Sequence, residues 1–316
     1  MRIVFCGTPE FAVPSLRALL ANPEFAVDAV ITQPDRPRGR GQRVSPSPVK
    51  EVAAQAGVRI YQPASMKSDE ARDVIAEIKP DAVVIIAYGQ IIPRRLLDIP
   101  RLGWMNLHGS LLPKYRGAAP IAWAIINGEP KTGLTTMRLD PGLDTGPMLM
   151  QREIEIGGDD TAPELAKRMA ELGAPLVADS LIKFNRGEIV PILQDSTQAT
   201  YAPILTKEHG RIDWSLTSGE IYNRIRGLAP WPGAYSTFRR RLCQIWGRPS
   251  TSAAADDAAG TWEPGSLIVN NAVIEVVCGK GTRLQLEAVQ LEGRKRISAR
   301  EFVNGARLAS GEHFGG

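Results

Sequence analysis

Residues 81–89 read DAVVIIAYG, a run that is apolar without alternation. A strand that is apolar on both faces has to be covered on both faces, so it predicts a sheet with helices on either side. The rest of the first half supplies the partners. RIVFCG (2–7), AVDAVITQ (26–33), VRIYQ (58–62), GWMNLHG (103–109) and TGLTTMRLD (132–140) read as further strands. Between them, residues 10–21, 49–57, 69–79 and 118–127 carry helical patterns, with Ser68 as a cap and Gly57 as a stop. This alternation predicts an α/β fold with a doubly wound, mostly parallel sheet. Such sheets bind ligands beyond the C-terminal ends of their strands. Three polar clusters fall there: the stretch from Gln33, Tyr88–Gln90, and Asn106–Ser110. One ligand class fails at once. A dinucleotide needs G-x-G-x-x-G after the first strand, and CGTPEF offers only Gly7.

The last third is built differently. Residues 161–184 form a long amphipathic helix, and 187–207 mix breakers with little periodicity and read as a linker. Beyond it, LIVNNAVIEVVCG (267–279) and RLQLEAVQLEG (283–293) alternate between Gly and Asn turns, which predicts a small antiparallel barrel or sandwich. Residues 251–262 read as a loose surface loop. The 316 residues therefore divide into a first domain over 1–186, the linker over 187–207, and a second domain over 208–316. No apolar run reaches the roughly 18–20 residues that cross a bilayer. MRIVFCGTPEF lacks the layout of a secretory leader. Cys6, Cys243 and Cys278 are scattered and form no C-x-x-C pair, as expected of reduced thiols in a cytoplasmic protein that holds no structural metal.

The net charge of +4 is unevenly placed. Residues 1–200 carry 23 basic and 23 acidic side chains, whereas 201–316 carry 15 and 11. Inside the balanced part, Arg36, Arg38, Arg40, Arg43 and Lys50 face only Asp35 between Pro34 and Lys50. Such clusters fit a polyanionic partner, or a solvated face.

NLHGSLLPKYRG (106–117) carries the chemistry. Two residues apart on a strand, Asn106 and His108 address the same face. In LDPGLDTGPML (139–149), Asp140 and Asp144 flank a turn that follows one strand and begins the next. An amide, an imidazole and a carboxylate suit acyl transfer, in which an oxyanion is held while a proton leaves the attacking group. Ser110 lies in no G-x-S-x-G elbow, so direct transfer is expected rather than a covalent enzyme intermediate. SLLP (110–113) and AYGQII (87–92) could wall a flat ligand, although ordinary loop packing accounts for either.

NLHGSLLPKYRGAAPI followed by LDTGPML resembles the formyltransferase family that uses 10-formyltetrahydrofolate. GTPEFAVPSL, TQPDRPRGRGQ, SPVK, AYGQIIP, RIDWS and PWPGA extend the resemblance from residue 3 to about residue 300, towards the branch that acts on aminoacylated tRNA. The resemblance implies a Rossmann-like formyltransferase fold followed by an OB-like barrel. It implies transfer of formyl from the folate N10 to the α-amine of methionine on initiator methionyl-tRNA, with no metal. Asn106, His108 and Asp144 would be catalytic. Ser110, Leu111, Leu112, Pro113, Tyr88, Gly89, Ile91 and Asp140 would bind folate. Arg36, Arg38, Arg40 and Arg43 would reach the acceptor arm, while Arg239, Arg240, Arg241 and the cluster Arg294, Lys295 and Arg296 would contact the tRNA body. A monomer away from any membrane is expected. Three rivals remain open: a formyltransferase for a small amine, a formyl-folate hydrolase, and a non-catalytic tRNA-binding protein. The first leaves the arginine loop unexplained, and the last predicts a broken triad.

Overall fold

The computed structural model describes residues 1–38, 43–251, 262–270 and 273–315. By contacts the chain divides into two compact units. One comprises residues 1–120, 131–155 and 164–203; the other comprises 121–130, 156–163 and 204–316.

The first unit follows the alternation of strands and helices. In chain order the elements up to residue 202 are β1 (Arg2–Gly7), α1 (Val13–Ala21), β2 (Ala26–Ile31), β3 (Arg36–Arg38), β4 (Arg43–Ser45), α2 (Pro48–Gln55), β5 (Arg59–Tyr61), α3 (Asp69–Ile78), β6 (Ala82–Ile86), α4 (Arg94–Leu97), β7 (Trp104–His108), β8 (Arg116–Gly117), α5 (Pro120–Ile126), β9 (Lys131–Arg138), β10 (Met148–Glu155), α6 (Ala162–Asn185) and β11 (Tyr201–Ala202), of which α5 falls to the second unit. The main sheet has the order β10-β9-β7-β6-β1-β2-β5. Its pairings from β5 to β7 are parallel, and β9 and β10 complete it antiparallel. Every residue of β6 is buried, as its unbroken apolar run requires. On one face, Val4, Cys6, Val83 and Ile85 pack with Ile75 of α3 and with Leu96 and Leu97 of α4. On the other, α6 comes so close to β7 that a Cβ at Gly173 would lie 2.6 Å from Leu107. Ser68 caps α3, its hydroxyl accepting from the Ala71 N–H. Ser47 does the same for α2 from Lys50, a cap the sequence reading passed over.

Two stretches depart from the sequence reading. The basic loop begins and ends as a hairpin, with Arg36 paired to Ser45 and Arg38 to Arg43. Residues 187–207 are largely tied to the first unit. Met148 and Ile192 form an antiparallel bridge, and β11 pairs in parallel with β8.

The second unit contains α7 (Ser218–Gly227), β12 (Tyr235–Phe238), β13 (Arg241–Pro249), β14 (Leu267–Asn270), β15 (Val273–Val277), β16 (Arg283–Leu291), β17 (Ile297–Ser298) and α8 (Ala299–Ala306). Its antiparallel sheet has the order β12-β13-β16-β15-β14, with β17 on β16. The C-terminal segment ties the two edges together. Phe314 bridges Phe238 of β12, and His313 bridges Ser266 beside β14. The sheet is thereby drawn into a small barrel around Trp214, Ile245, Leu284, Phe302 and Phe314.

Candidate active site

β7 ends at His108, and Asn106 precedes it on the same face of the strand. Asn106 is half-buried, and among the described residues its side chain has no hydrogen bond to protein. His108 is buried, and its Nε2 lies 2.9 Å from the Tyr115 carbonyl oxygen. A carbonyl can only accept, so Nε2 carries the hydrogen. Nδ1 then faces Asp144, at 3.6 Å from Oδ2, longer than a hydrogen bond. The same Asp144 oxygen is fixed by the Gly117 N–H, which donates to Oδ2 at 2.8 Å. Asp144 sits at φ +51°, a left-handed conformation uncommon for a residue with a side chain. An imidazole with one nitrogen anchored and the other turned to a carboxylate is equipped to exchange a proton with a bound substrate.

KYRG, unexplained by its sequence, supplies both anchors. Tyr115 provides the carbonyl for His108, and Gly117 the N–H for Asp144. Gly117 must be glycine: it lies at φ +121°, and a Cβ there would come within 2.6 Å of the Ala202 carbonyl oxygen. Arg116 is 2% exposed, whereas Lys114 is exposed.

SLLP is a tightly held turn. The Ser110 hydroxyl donates to the Lys114 carbonyl at 2.6 Å, which occupies the hydroxyl internally. Buried Thr135 of β9 donates to the Ser110 carbonyl at 2.7 Å and accepts from the Leu112 N–H at 3.1 Å. Leu112 is buried and Pro113 half-buried. Leu111 packs over β9, where a Cβ at Gly133 would be 2.4 Å from it. In the facing segment the Tyr88 side chain belongs to the sheet core, and its hydroxyl is buried without a partner. Burial pushes that phenol's pKa well above its ordinary value. Gly89 lies at φ +86°, and Ile91 is 80% exposed. The Asp140 carboxylate is taken up by its own turn, accepting from the Gly142 N–H at 3.0 Å and the Thr145 hydroxyl at 2.7 Å.

The cationic candidates divide in the same way. Arg36 is exposed at the foot of its hairpin. The backbones of Arg38 and Arg43 pair in β3 and β4, and Arg40 lies outside the described residues. In the second unit, Arg239, Arg241, Arg294 and Lys295 meet around one cleft of about 400 Å³, floored by Phe238, Leu291, Ile297 and Phe302. The structure thus brings together two basic clusters that lie some fifty residues apart in sequence. Arg239 is already paired with both carboxylate oxygens of Glu312, at 2.9 and 3.0 Å. Arg240 and Arg296 do not line the cleft, and Arg296 stacks over Trp246 at 4.1 Å.

A strand-end amide and imidazole facing a carboxylate, on a sheet of this order, suit a group-transfer enzyme of the acyl-transfer class. A model of the formyl transferase family matches residues 1–181, and a model of the formyl transferase C-terminal domain matches residues 204–307. The chain belongs to the formyl transferase family. The relatives it resembles over its full length are methionyl-tRNA formyltransferases. It is 48% identical to that of Citrifermentans bemidjiense, across 100% of this chain and 96% of the relative. It is 51% identical to that of Solibacter usitatus, across 100% and 99%. Among solved structures, an N-formyltransferase from Helicobacter canadensis in complex with folinic acid and dTDP-3-aminofucose superposes with a TM-score of 0.67 at 18% identity, over 90% of this chain and 98% of that one. A sugar 3N-formyl transferase solved with dTDP and 5-N-formyl-THF gives 0.65 at 19% identity, over 93% and 99%. At these identities the likeness concerns the fold.

Proposed function

We infer that this protein transfers the formyl group of 10-formyltetrahydrofolate to the α-amine of methionine on initiator methionyl-tRNA. The observation that carries the chemistry is the ring of His108, anchored through Nε2 on Tyr115 and turned through Nδ1 to Asp144, two residues beyond Asn106. The full-length identity to methionyl-tRNA formyltransferases supports the choice of amine over a small-molecule acceptor or water.

In this reading the neutral amine attacks the formyl carbon, and the formyl oxygen becomes an oxyanion. The Asn106 amide donates to it, and His108 donates through Nδ1 when that nitrogen is protonated. Asp144 takes the proton released by the attacking nitrogen. Collapse of the tetrahedral intermediate breaks the bond to N10, which takes up the proton that Asp144 received. The turn 110–113 and the exposed segment about Gly89 and Ile91 flank the folate. Tyr88 and Asp140 act indirectly, one from the core and one by shaping the turn that carries Asp144. Arg36, Arg38, Arg40 and Arg43, with the cleft cations of the second unit, hold the RNA phosphates. The protein works as a monomer.

The test is direct. The protein is incubated with 10-formyltetrahydrofolate and charged initiator tRNA, and N-formylmethionine is released from the ester and measured. Intact methionyl-tRNA and active folate without product overturn the reading. His108→Ala is expected to lower turnover by about 10²–10³-fold, with tRNA affinity retained in a binding assay. Equal losses in both would instead mark a folding defect.

A further inference from the structure

Arg116 and Gln194 are the feature that the proposed chemistry leaves unused. Arg116 is 2% exposed, although a guanidinium is among the groups least often buried. Its Nε and Nη2 both donate to the Gln194 side-chain oxygen, at 3.0 and 2.8 Å. The Gln194 amide nitrogen in turn donates to two backbone carbonyls, that of Asp144 at 2.8 Å and that of Gly146 at 2.7 Å. Among the described residues these carbonyls lie outside regular structure, in a turn whose tip, Leu143, is 60% exposed. That turn holds Asp144 in the left-handed region.

We propose that Arg116 and Gln194 are positioning residues that hold the Asp144 carboxylate in register with His108. The proposal rests on the formyl-transfer reading above and assigns the residues that make its geometry possible. Arg116 is itself fixed by the Thr200 carbonyl, which accepts its backbone N–H at 2.8 Å. From there a continuous line of hydrogen bonds runs through guanidinium and amide to the backbone on both sides of residue 145. A charged donor polarises the amide, which strengthens the bonds the amide then makes. The adjoining residues complete the device: Tyr115 anchors His108, and Gly117 holds the Asp144 carboxylate. Three successive residues thus set both sides of the 3.6 Å approach between Nδ1 and Oδ2. A displacement of about 1 Å between reacting groups can cost about 10²-fold in rate, so the brace matters to turnover more than to binding.

Gln194→Glu separates the two functions of this side chain. It keeps an acceptor for Arg116 but offers no N–H to the carbonyls of Asp144 and Gly146. The expected result is a thermal midpoint near that of the wild type, kcat lower by about 10- to 100-fold, and KM for both substrates little changed. In an Asp144→Asn background the same change should cost almost nothing further, because the brace acts through that carboxylate. An undiminished kcat in Gln194→Glu overturns the proposal, as does a loss that simply adds to that of Asp144→Asn. A readout independent of activity accompanies these. The chain has three histidines, so the ring resonances of His108, His209 and His313 can be assigned from single substitutions. At one fixed pH, Gln194→Glu should move the His108 signal and leave the other two in place. An unmoved His108 signal overturns the brace even if the wild-type chain proves unable to formylate methionyl-tRNA, whereas that inability alone overturns the functional reading.

Discussion

Tyr88 shows how a residue beside a site can serve the fold instead. Its ring lies among Cys6, Ile75 and Trp104, and its hydroxyl is buried with no hydrogen-bond partner. A buried donor without a partner costs about 1–3 kcal/mol. Tyr88→Phe is therefore expected to raise stability by about 1 kcal/mol, read as a shift in the denaturant midpoint, while KM for the folate stays unchanged. A rise in that KM would mean that the hydroxyl reaches the ligand. Sequence alone could not have told the two roles apart, because a tyrosine at the end of an apolar strand fits either. The neighbourhood of Asn106 and His108 was legible, since a spacing of two on a strand fixes a shared face. The supports of Asp144 were not. Gln194 is 50 residues away and stands in a stretch with no periodicity, and nothing local marks an amide that bridges two distant carbonyls.

At the scale of elements, the helices and strands of the first unit followed the apolar pattern because burial of both faces leaves a central strand few alternatives. The segment 187–207 was opaque for the opposite reason. Its ties to the first unit are backbone pairings of β11, an isolated bridge at Ile192 and the single amide of Gln194, none of which leaves a trace in the side-chain pattern. The two-residue turn between β12 and β13 is another case. Arg239 and Arg240 both have positive φ, at +47° and +61°, in the place where such hairpins ordinarily use Asn and Gly. For a residue with a side chain this conformation costs roughly 1–2 kcal/mol. Arg239 offsets part of that through its pair with Glu312 and the ring of Phe238. Arg240 is exposed and does not line the cleft. Arg240→Gly is expected to stabilise the second unit by about 0.5–1 kcal/mol, after the added freedom of glycine in the unfolded chain is subtracted. Thermal unfolding followed by circular dichroism reads this directly. A lower midpoint would show that the arginine side chain contributes a contact that outweighs its backbone strain.

For the whole molecule, the excess of positive charge becomes a question of how many phosphates each cation set neutralises. The net charge of +4 is too small to attract an RNA by itself, so binding has to draw on local concentrations. Among the described residues, Arg241, Arg294 and Lys295 form one such set at the rim of an apolar cleft, and the hairpin about Arg36 belongs to another. Each phosphate contact releases condensed counterions, so the logarithm of the binding constant falls with the logarithm of salt by roughly 0.7–0.9 per contact. Replacing Arg294 and Lys295 by alanine should therefore reduce that slope by about 1.5, if each meets a phosphate. Replacing Arg40 and Arg43 should reduce it by a similar amount. If the two sets act independently, the combined variant is expected to lose the sum of the two. Filter binding of initiator tRNA over a range of salt measures all four proteins, with binding of 10-formyltetrahydrofolate as the control that should not move. A slope that ignores Arg294 and Lys295 would assign the cleft cations to solvation. A combined loss smaller than the sum would mean that one set binds RNA only when the other is engaged.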